Sequence, residues 1–164
     1  MATGHPSLST IHADNVNAVI DRLTTRPISL PASLLQNLDL IVFLDKTKQE
    51  GRFSRKVGQI VEIEGYDRDT DRLKTNEAFL WEPSNDTFGA KESHLLKKIA
   101  HKLGWTEDEV KNELLRRAGL LEWMHSNGRH TLKDVTRMTN MHYTDPQSLA
   151  NVMSGLPVWP GKGF

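Results

Sequence analysis

The 164-residue chain contains no cysteine, which removes disulfides, thiolate metal sites and cysteine nucleophiles from consideration. It also has no apolar run approaching the roughly 18 residues of a membrane span. Its first residues lack the basic region and apolar core of a secretion signal. A soluble, intracellular protein without membrane insertion is the expectation. Net charge is missing as well, because 21 Lys and Arg balance 21 Asp and Glu. No overall field therefore favours nucleic acid, an acidic substrate or a membrane surface, and no nucleic-acid partner is expected. Residues 1–90 carry 10 basic and 13 acidic groups and residues 91–164 carry 11 and 8. A split of this size fits two units meeting at a polar interface, and equally arises by chance. Neither an internal repeat nor a low-complexity tract is present.

With 37% hydrophobic and 26% charged residues, the chain has enough apolar material for one globular domain or a domain with an appended module. Residues 1–14, MATGHPSLSTIHAD, mix small and polar residues with an alternating stretch from Leu8 to His12 that reads as a single strand. Asp14 or Asn15 then caps a helix carrying Val16, Val19, Ile20 and Leu23 at helical spacing, which ends before Pro27. A short helix is expected near Pro31, with Leu34, Leu35 and Leu38 on one face. Strands follow at Leu40–Leu44, Lys56–Gly65 and Ala78–Trp81. QEGRF and the polar GYDRDTDRLKTN connect them, so 40–81 reads as an antiparallel meander.

PSNDTFGAKES after Trp81-Glu82 reads as a linker. Helices are expected at His94–Leu103, Glu107–His125 and Leu132–Tyr143, with a short piece after Pro146. The longest starts with a Thr106–Glu109 capping box and gathers Val110, Leu114, Leu115, Ala118, Leu121 and Trp123 on a broad face. The expected domains are 1–90 and 91–164, the second ending in a tail from about residue 154.

Chemistry concentrates at the amino-terminal end, where Thr3, Gly4 and His5 are followed seven residues later by His12. Histidine titrates near neutrality and each ring offers a donor, so the pair could orient or protonate an anionic group. Spacing alone is equally compatible with two surface histidines. The whole string MATGHPSLSTIHADNVNAVIDRL, however, resembles the histidine box of the secretion ATPase superfamily that drives type II secretion, type IV pili and the archaellum. The positions that carry the resemblance are Thr3, Gly4, His5, Ser9, Thr10, Ile11, His12, Ala13 and Asp14. PISLPASLLQNLDLIVFL and VGQIVEIEGYDRDTDRLKTNEAFLWEPSNDTF are similar to that family's following segments, and LLRRAGLLEWM with VTRMTNMHYTDP to the carboxyl-terminal helices of its archaeal branch. Residues 1–153 are covered.

The resemblance implies an α/β fold, the distal part of a RecA-like P-loop ATPase domain with late antiparallel strands, followed by a helical module. It implies a homohexameric ring that couples ATP hydrolysis to filament assembly or protein export, cytoplasmic and peripheral to the membrane, working on a membrane platform protein. His5 and His12 are implied to support catalysis near the γ-phosphate, with Thr3, Gly4 and Ser9 contributing to nucleotide binding. ATP and Mg²⁺ are the cofactors of the full-length family protein. Phosphoryl transfer needs a cradle of backbone N–H groups, a lysine and a Mg²⁺ ligand, and no G-x-x-x-x-G-K-[ST] occurs here. Gly161, Lys162 and Gly163 stand in a Pro-flanked tail with no helix after them. The acidic Walker B strand and the aspartate box of the family are also missing. The chain is therefore expected to be a piece of a longer gene product, binding no nucleotide and hydrolysing no ATP alone. The alternative is a truncated interaction module that docks on the platform or on full-length ATPase subunits.

Other features have ordinary readings beside functional ones. Arg52, Arg55 and Lys56 around Phe53 suit a solvated hairpin tip or a phosphate contact. His94, His101, His125, His130 and His142 lack a tight metal spacing, and no metal site is expected. SNGRHTLKDVTRMTNMHY resembles a helix-turn-helix, but an ordinary helix pair packing Leu132, Val135, Met138 and Met141 inward is the simpler reading. Trp81, Trp105 and Trp123 are expected to anchor cores; Trp159 lies in the tail.

Overall fold

A computed structural model describes residues 6–49 and 51–155. The chain divides into two compact units, Met1–Gly104 and Trp105–Phe164.

In the first unit, Asn15 caps α1 (Val16–Thr24), its Oδ1 accepting from the Ala18 amide at 2.9 Å. Val19 is the buried residue of that helix. The expected short helix is a 3-10 turn, Ala32–Asn37, that buries Leu35 and leaves Leu34 half exposed. A sheet follows with β1 (Leu40–Gln49), β2 (Arg52–Asp67), β3 (Arg72–Glu82) and β4 (Thr87–Ala90). The strands pair in sequence order and every pairing is antiparallel. The meander is thus present, with strands longer than the apolar runs that signalled them. Arg72–Asn76, from the expected polar connection, belong to β3, and only 68–71 remain as the turn.

Two expectations for this unit are corrected. Leu8–His12 is not a strand: residues 6–13 have no regular structure and pair with nothing in the sheet. Alternation gives a strand its face, but a ladder partner gives it its hydrogen bonds. Conversely, 83–93 is not simply a linker, since it contains β4. That strand is only four residues long and includes Gly89, and its place is fixed by the ladder to β3 and by Phe88 stacking on Phe79 at 5.2 Å. Trp81 is buried as expected, with Nε1 donating to Asp86 Oδ1 at 2.9 Å. Helix α2 (His94–Leu103) closes the unit at Gly104, whose positive φ of 68° makes the left-handed cap.

The second unit holds α3 (Glu107–Ser126), α4 (Leu132–Thr144) and α5 (Pro146–Met153). Thr106 with Glu109 forms the expected capping box, and Thr131 with Asp134 forms another. Asp145 caps α5, accepting from the Ser148 amide, with Pro146 at the first helical position. The core consists of Leu120, Met124, Met138 and Leu149, flanked by Trp123, Met141, Val152 and Met153. Trp123 also ties helix ends together, its Nε1 donating to the Met153 carbonyl at 2.9 Å.

The expected inward faces need correction here as well. Val110 of the expected face is buried, but Leu115 is 61% exposed and Leu121 66%, and the helix buries Leu120 and Met124 in their place. The apolar stripe of α3 is wider than the surface offered to it, so only one border is covered. On α4 Leu132 and Val135 face outward, while Met138 and His142 are buried. Trp105 is about two-fifths exposed and anchors no core.

Truncation should report this division. Met138→Ala is expected to cost about 2–4 kcal/mol in urea unfolding, whereas Leu115→Ala should change stability by less than about 0.5 kcal/mol. Comparable losses at both positions would mean that α3 packs on its sequence-derived face.

Candidate functional site

Of the residues implied by the histidine-box resemblance, Thr3, Gly4 and His5 lie outside the described residues, as does the tail with Trp159, Gly161, Lys162 and Gly163. Ser9 and His12 are described and both are exposed. They stand in the irregular segment before α1, and Leu8 between them and the start is 99% exposed. Among the described residues neither Ser9 nor His12 takes part in a side-chain hydrogen bond, and His12 forms no ion pair. The segment therefore presents a hydroxyl and an imidazole outward, just ahead of the Asn15-capped helix. Such groups can meet an anion brought from elsewhere, but this chain does not hold them in a fixed geometry.

The strongest polar organisation of the first unit lies elsewhere, in residues that sequence reasoning passed over. Glu62 sits in β2 beside the fully buried Val61 and is itself only 4% exposed. Its carboxylate accepts from Ser93 Oγ, from Asn76 Nδ2 at 3.2 Å, and from the His94 and Leu95 amides at 2.9 and 3.4 Å. Burial alone pushes its pKa up. The hydrogen bonds from Ser93, Asn76 and the two amides outweigh that and hold it below the usual carboxylate value. These amides open α2, so the carboxylate also meets the positive end of the helix. Around it lies a cleft of about 230 Å³, rimmed by two further pairs. His94 Nε2 meets Glu64 Oε1 at 2.9 Å, and Lys98 Nζ meets Asp39 Oδ1 at 3.4 Å. Each charged group there already has a partner, so the arrangement docks a helix on a sheet.

In the second unit Glu113 plays a similar part. Its carboxylate accepts from Arg117 Nε at 2.7 Å and from Arg116, and it meets His142 Nε2 of α4 at 3.0 Å. Burial raises its pKa, but the hydrogen bonds of Arg117, His142 and Arg116 bring it from the usual 4.5 down to about 2. Arg117 also lies over the Tyr143 ring, 5.7 Å from its centroid. A carboxylate and an imidazole face each other here, yet both are packed between helices with the acid saturated by guanidinium groups. The cluster locks α3 to α4. Its sequence signal was available in the i, i+3 and i, i+4 spacing of Glu113 to Arg116 and Arg117. The link to His142, 29 residues away, had none. Among the described residues no group of three His, Asp or Glu is placed to hold a metal ion. Likewise, no described helix is long and apolar enough to cross a membrane.

Comparison with known proteins adds to this geometry. Residues 84–155 match the family described as PilB3-like, C-terminal. That segment begins in the turn before β4 and runs through α5, so it includes the sheet's short edge strand, the helix docked by Glu62 and the Glu113–His142 lock. The uncharacterized Methanocaldococcus jannaschii proteins MJ1287 and MJ0900 are each 41% identical to the chain, over 122 and 129 residues. These alignments cover 74% and 76% of the chain but 45% and 23% of the relatives. A third protein of that organism, MJ0781, is 23% identical over 155 residues, covering 85% of the chain and 20% of the relative. The chain thus spans less than half the length of each of these relatives. The family match supports a pilus- or archaellum-related, ATPase-associated family for the carboxyl-terminal segment.

Two measurements follow from the carboxylates. Glu62→Ala leaves buried donors without an acceptor and should cost about 2 kcal/mol, with faster hydrogen exchange at the first amides of α2. Glu113 has a folded-state pKa below its unfolded one, so its stabilisation is present above about 4.5 and is lost as pH falls toward about 2. Acid unfolding followed by the helical circular dichroism signal should show that loss, and Glu113→Gln should flatten the curve between those values.

Proposed function

We propose that this chain is the distal portion of a secretion-type motor ATPase, of the archaellum and pilus assembly branch, whose RecA-like domain works in a hexameric ring. In this reading the ring is cytoplasmic and peripheral to the membrane. It converts ATP hydrolysis into movement of a membrane platform protein that assembles a filament or exports protein. The observation that carries the reading is the histidine-box segment, with Ser9 and His12 exposed and, among the described residues, without a side-chain hydrogen bond, next to an ordered α/β scaffold. The PilB3-like match over 84–155 supports it independently, because it lies in a different part of the chain.

His12, with His5, would face the terminal phosphate of a nucleotide bound mainly by the segment that carries the P-loop, and Thr3, Gly4 and Ser9 would flank them as hydrogen-bonding or close-packing neighbours. The residues of this chain do not fit Mg-ATP by themselves. The phosphate cradle and its lysine are missing from the sequence, and the described residues hold no cluster for the metal. What they can supply is a pair of donors that complete a site organised elsewhere. The α2 docking at Glu62 and the α3–α4 lock at Glu113 would then carry motion without touching nucleotide.

The alternative, an interaction module for the platform or for full-length subunits, draws on α3, which leaves Leu115 and Leu121 exposed. ATP turnover separates the two. Joined in frame to a P-loop segment, the chain should hydrolyse ATP, and His12→Ala should lower kcat roughly a hundredfold with the melting profile unchanged. Alone it should hydrolyse none. Turnover by the 164-residue chain alone, or a His12→Ala form as fast as the parent, would remove the motor reading. Failure of the joined form to turn over, with the chain still binding full-length motor subunits, would favour the module.

A further inference from the structure

Alternate residues of a strand share a face, so Leu40, Val42, Leu44, Lys46 and Lys48 line one side of β1. The register sets Lys46 opposite Arg55 and Lys48 opposite Phe53. Three cations and an aromatic ring therefore gather on one face at the far end of the β1–β2 hairpin. Like charges directly opposite each other weaken a ladder. No described carboxylate forms an ion pair with Lys46, Lys48 or Arg55. The neighbouring cation that serves the fold is treated differently, since Lys56, on the other face, pairs with Asp86 and lies 5.2 Å from the Trp81 ring centroid. Phe53 is 69% exposed, and Leu44 beside the cluster is 68% exposed.

We propose that this hairpin end docks on an anionic lipid surface, with Lys46, Lys48 and Arg55 at the level of the headgroup phosphates and Phe53 entering the interface. Charge complementarity identifies an anionic partner, and the apolar groups choose among anionic partners. A nucleic-acid strand would use the ring face for base stacking, but Lys46 Nζ already lies over it, 4.4 Å from the centroid, with Lys48 Nζ at 5.8 Å. A bilayer interface needs only the ring and Leu44 to leave water while the ammonium groups remain among phosphates. The overall charge of zero makes the attraction a property of this patch. The inference uses the hairpin's own residues and does not depend on the motor reading.

The test is co-sedimentation of the 164-residue chain with vesicles of phosphatidylcholine alone and with vesicles of equal parts phosphatidylcholine and phosphatidylglycerol. Binding is expected to the anionic vesicles only, and about 1 M salt should release the chain. Lys46→Gln, Lys48→Gln and Arg55→Gln together should lower partitioning roughly a hundredfold, at about fivefold per cation. Phe53→Ser should lower it about tenfold, and Lys46→Arg with Lys48→Arg should retain it. Thermal melts of each variant, expected to match the parent, separate lost binding from lost fold. Absence of binding to anionic vesicles, or undiminished binding by the folded triple variant, overturns the proposal. Preference for a fluorescent single-stranded oligonucleotide over vesicles, with the same residue dependence, also overturns it and makes the hairpin a nucleic-acid surface.

Discussion

The first unit depends on one buried carboxylate. Moving Glu62 out of water in a strand lined by Val61 costs several kcal/mol unless its charge is met on all sides. It is met by Ser93, Asn76 and the first two amides of α2. Those donors come from two places in the chain, β3 and the start of α2, so the electrostatic requirement becomes a structural one: β2, β3 and α2 must converge at a point. Ser93 serves twice, donating to Glu62 and accepting from the Leu96 amide at 3.0 Å as the helix cap. Asn76 also serves twice, since its Nδ2 reaches the Glu92 carbonyl at 2.8 Å. The approach to the helix is thereby fixed before any apolar packing of α2 is considered, and of that helix only Ala100 is buried.

The second unit solves the same problem with different chemistry. Glu113 has no helix start to lean on, because it lies two turns into α3, and it is neutralised by guanidinium groups and by His142. Two of those partners belong to its own helix and would form in isolation as ordinary surface pairs worth a few tenths of a kcal/mol each. Contact with α4 changes their value, since burial removes the competing water. The small apolar cluster of Leu120, Met124, Met138 and Leu149 supplies non-directional attraction, and the carboxylate supplies register between the helices.

Most elements were legible because their signals are local. Asn15, Ser93, Thr106, Thr131 and Asp145 each cap a helix through the amide three residues on, an apolar run marked the first half of β1, and β-branched residues marked the middle of β2. The misses share a cause, which is dependence on a partner outside the segment itself. Leu8–His12 has the alternation of a strand and no ladder to join. Thr87–Ala90 is only four residues, two of them Gly89 and Ala90, too short to read as a strand, yet β3 supplies its ladder. Glu62 and Glu113 look like solvent-facing charges in sequence, and only tertiary contact reveals them as the buried acids. The helical stripe of α3 showed which residues are apolar, but not which border of the stripe would find a neighbour. The resemblance of the opening segment singled out Ser9 and His12, and nothing in the residues themselves could have told how openly they would stand.

That openness bears on what the opening segment can do. Electrostatic stabilisation of a transferring phosphoryl group requires donors fixed in place beforehand, because donors that must reorganise lose most of their advantage. Ser9 and His12 have no side-chain hydrogen bond among the described residues to fix their rotamers, and Leu8 and Ile11, whose burial would anchor the segment, are exposed. An exposed leucine forgoes about 1.5–3 kcal/mol relative to a buried one, enough to order such a segment on a complementary surface. On the proposed reading, the surface that covers Leu8 and Ile11 would be the one that brings the phosphates. Packing of two apolar side chains would then set the geometry of the donors between and beside them, and binding and pre-organisation would be a single event.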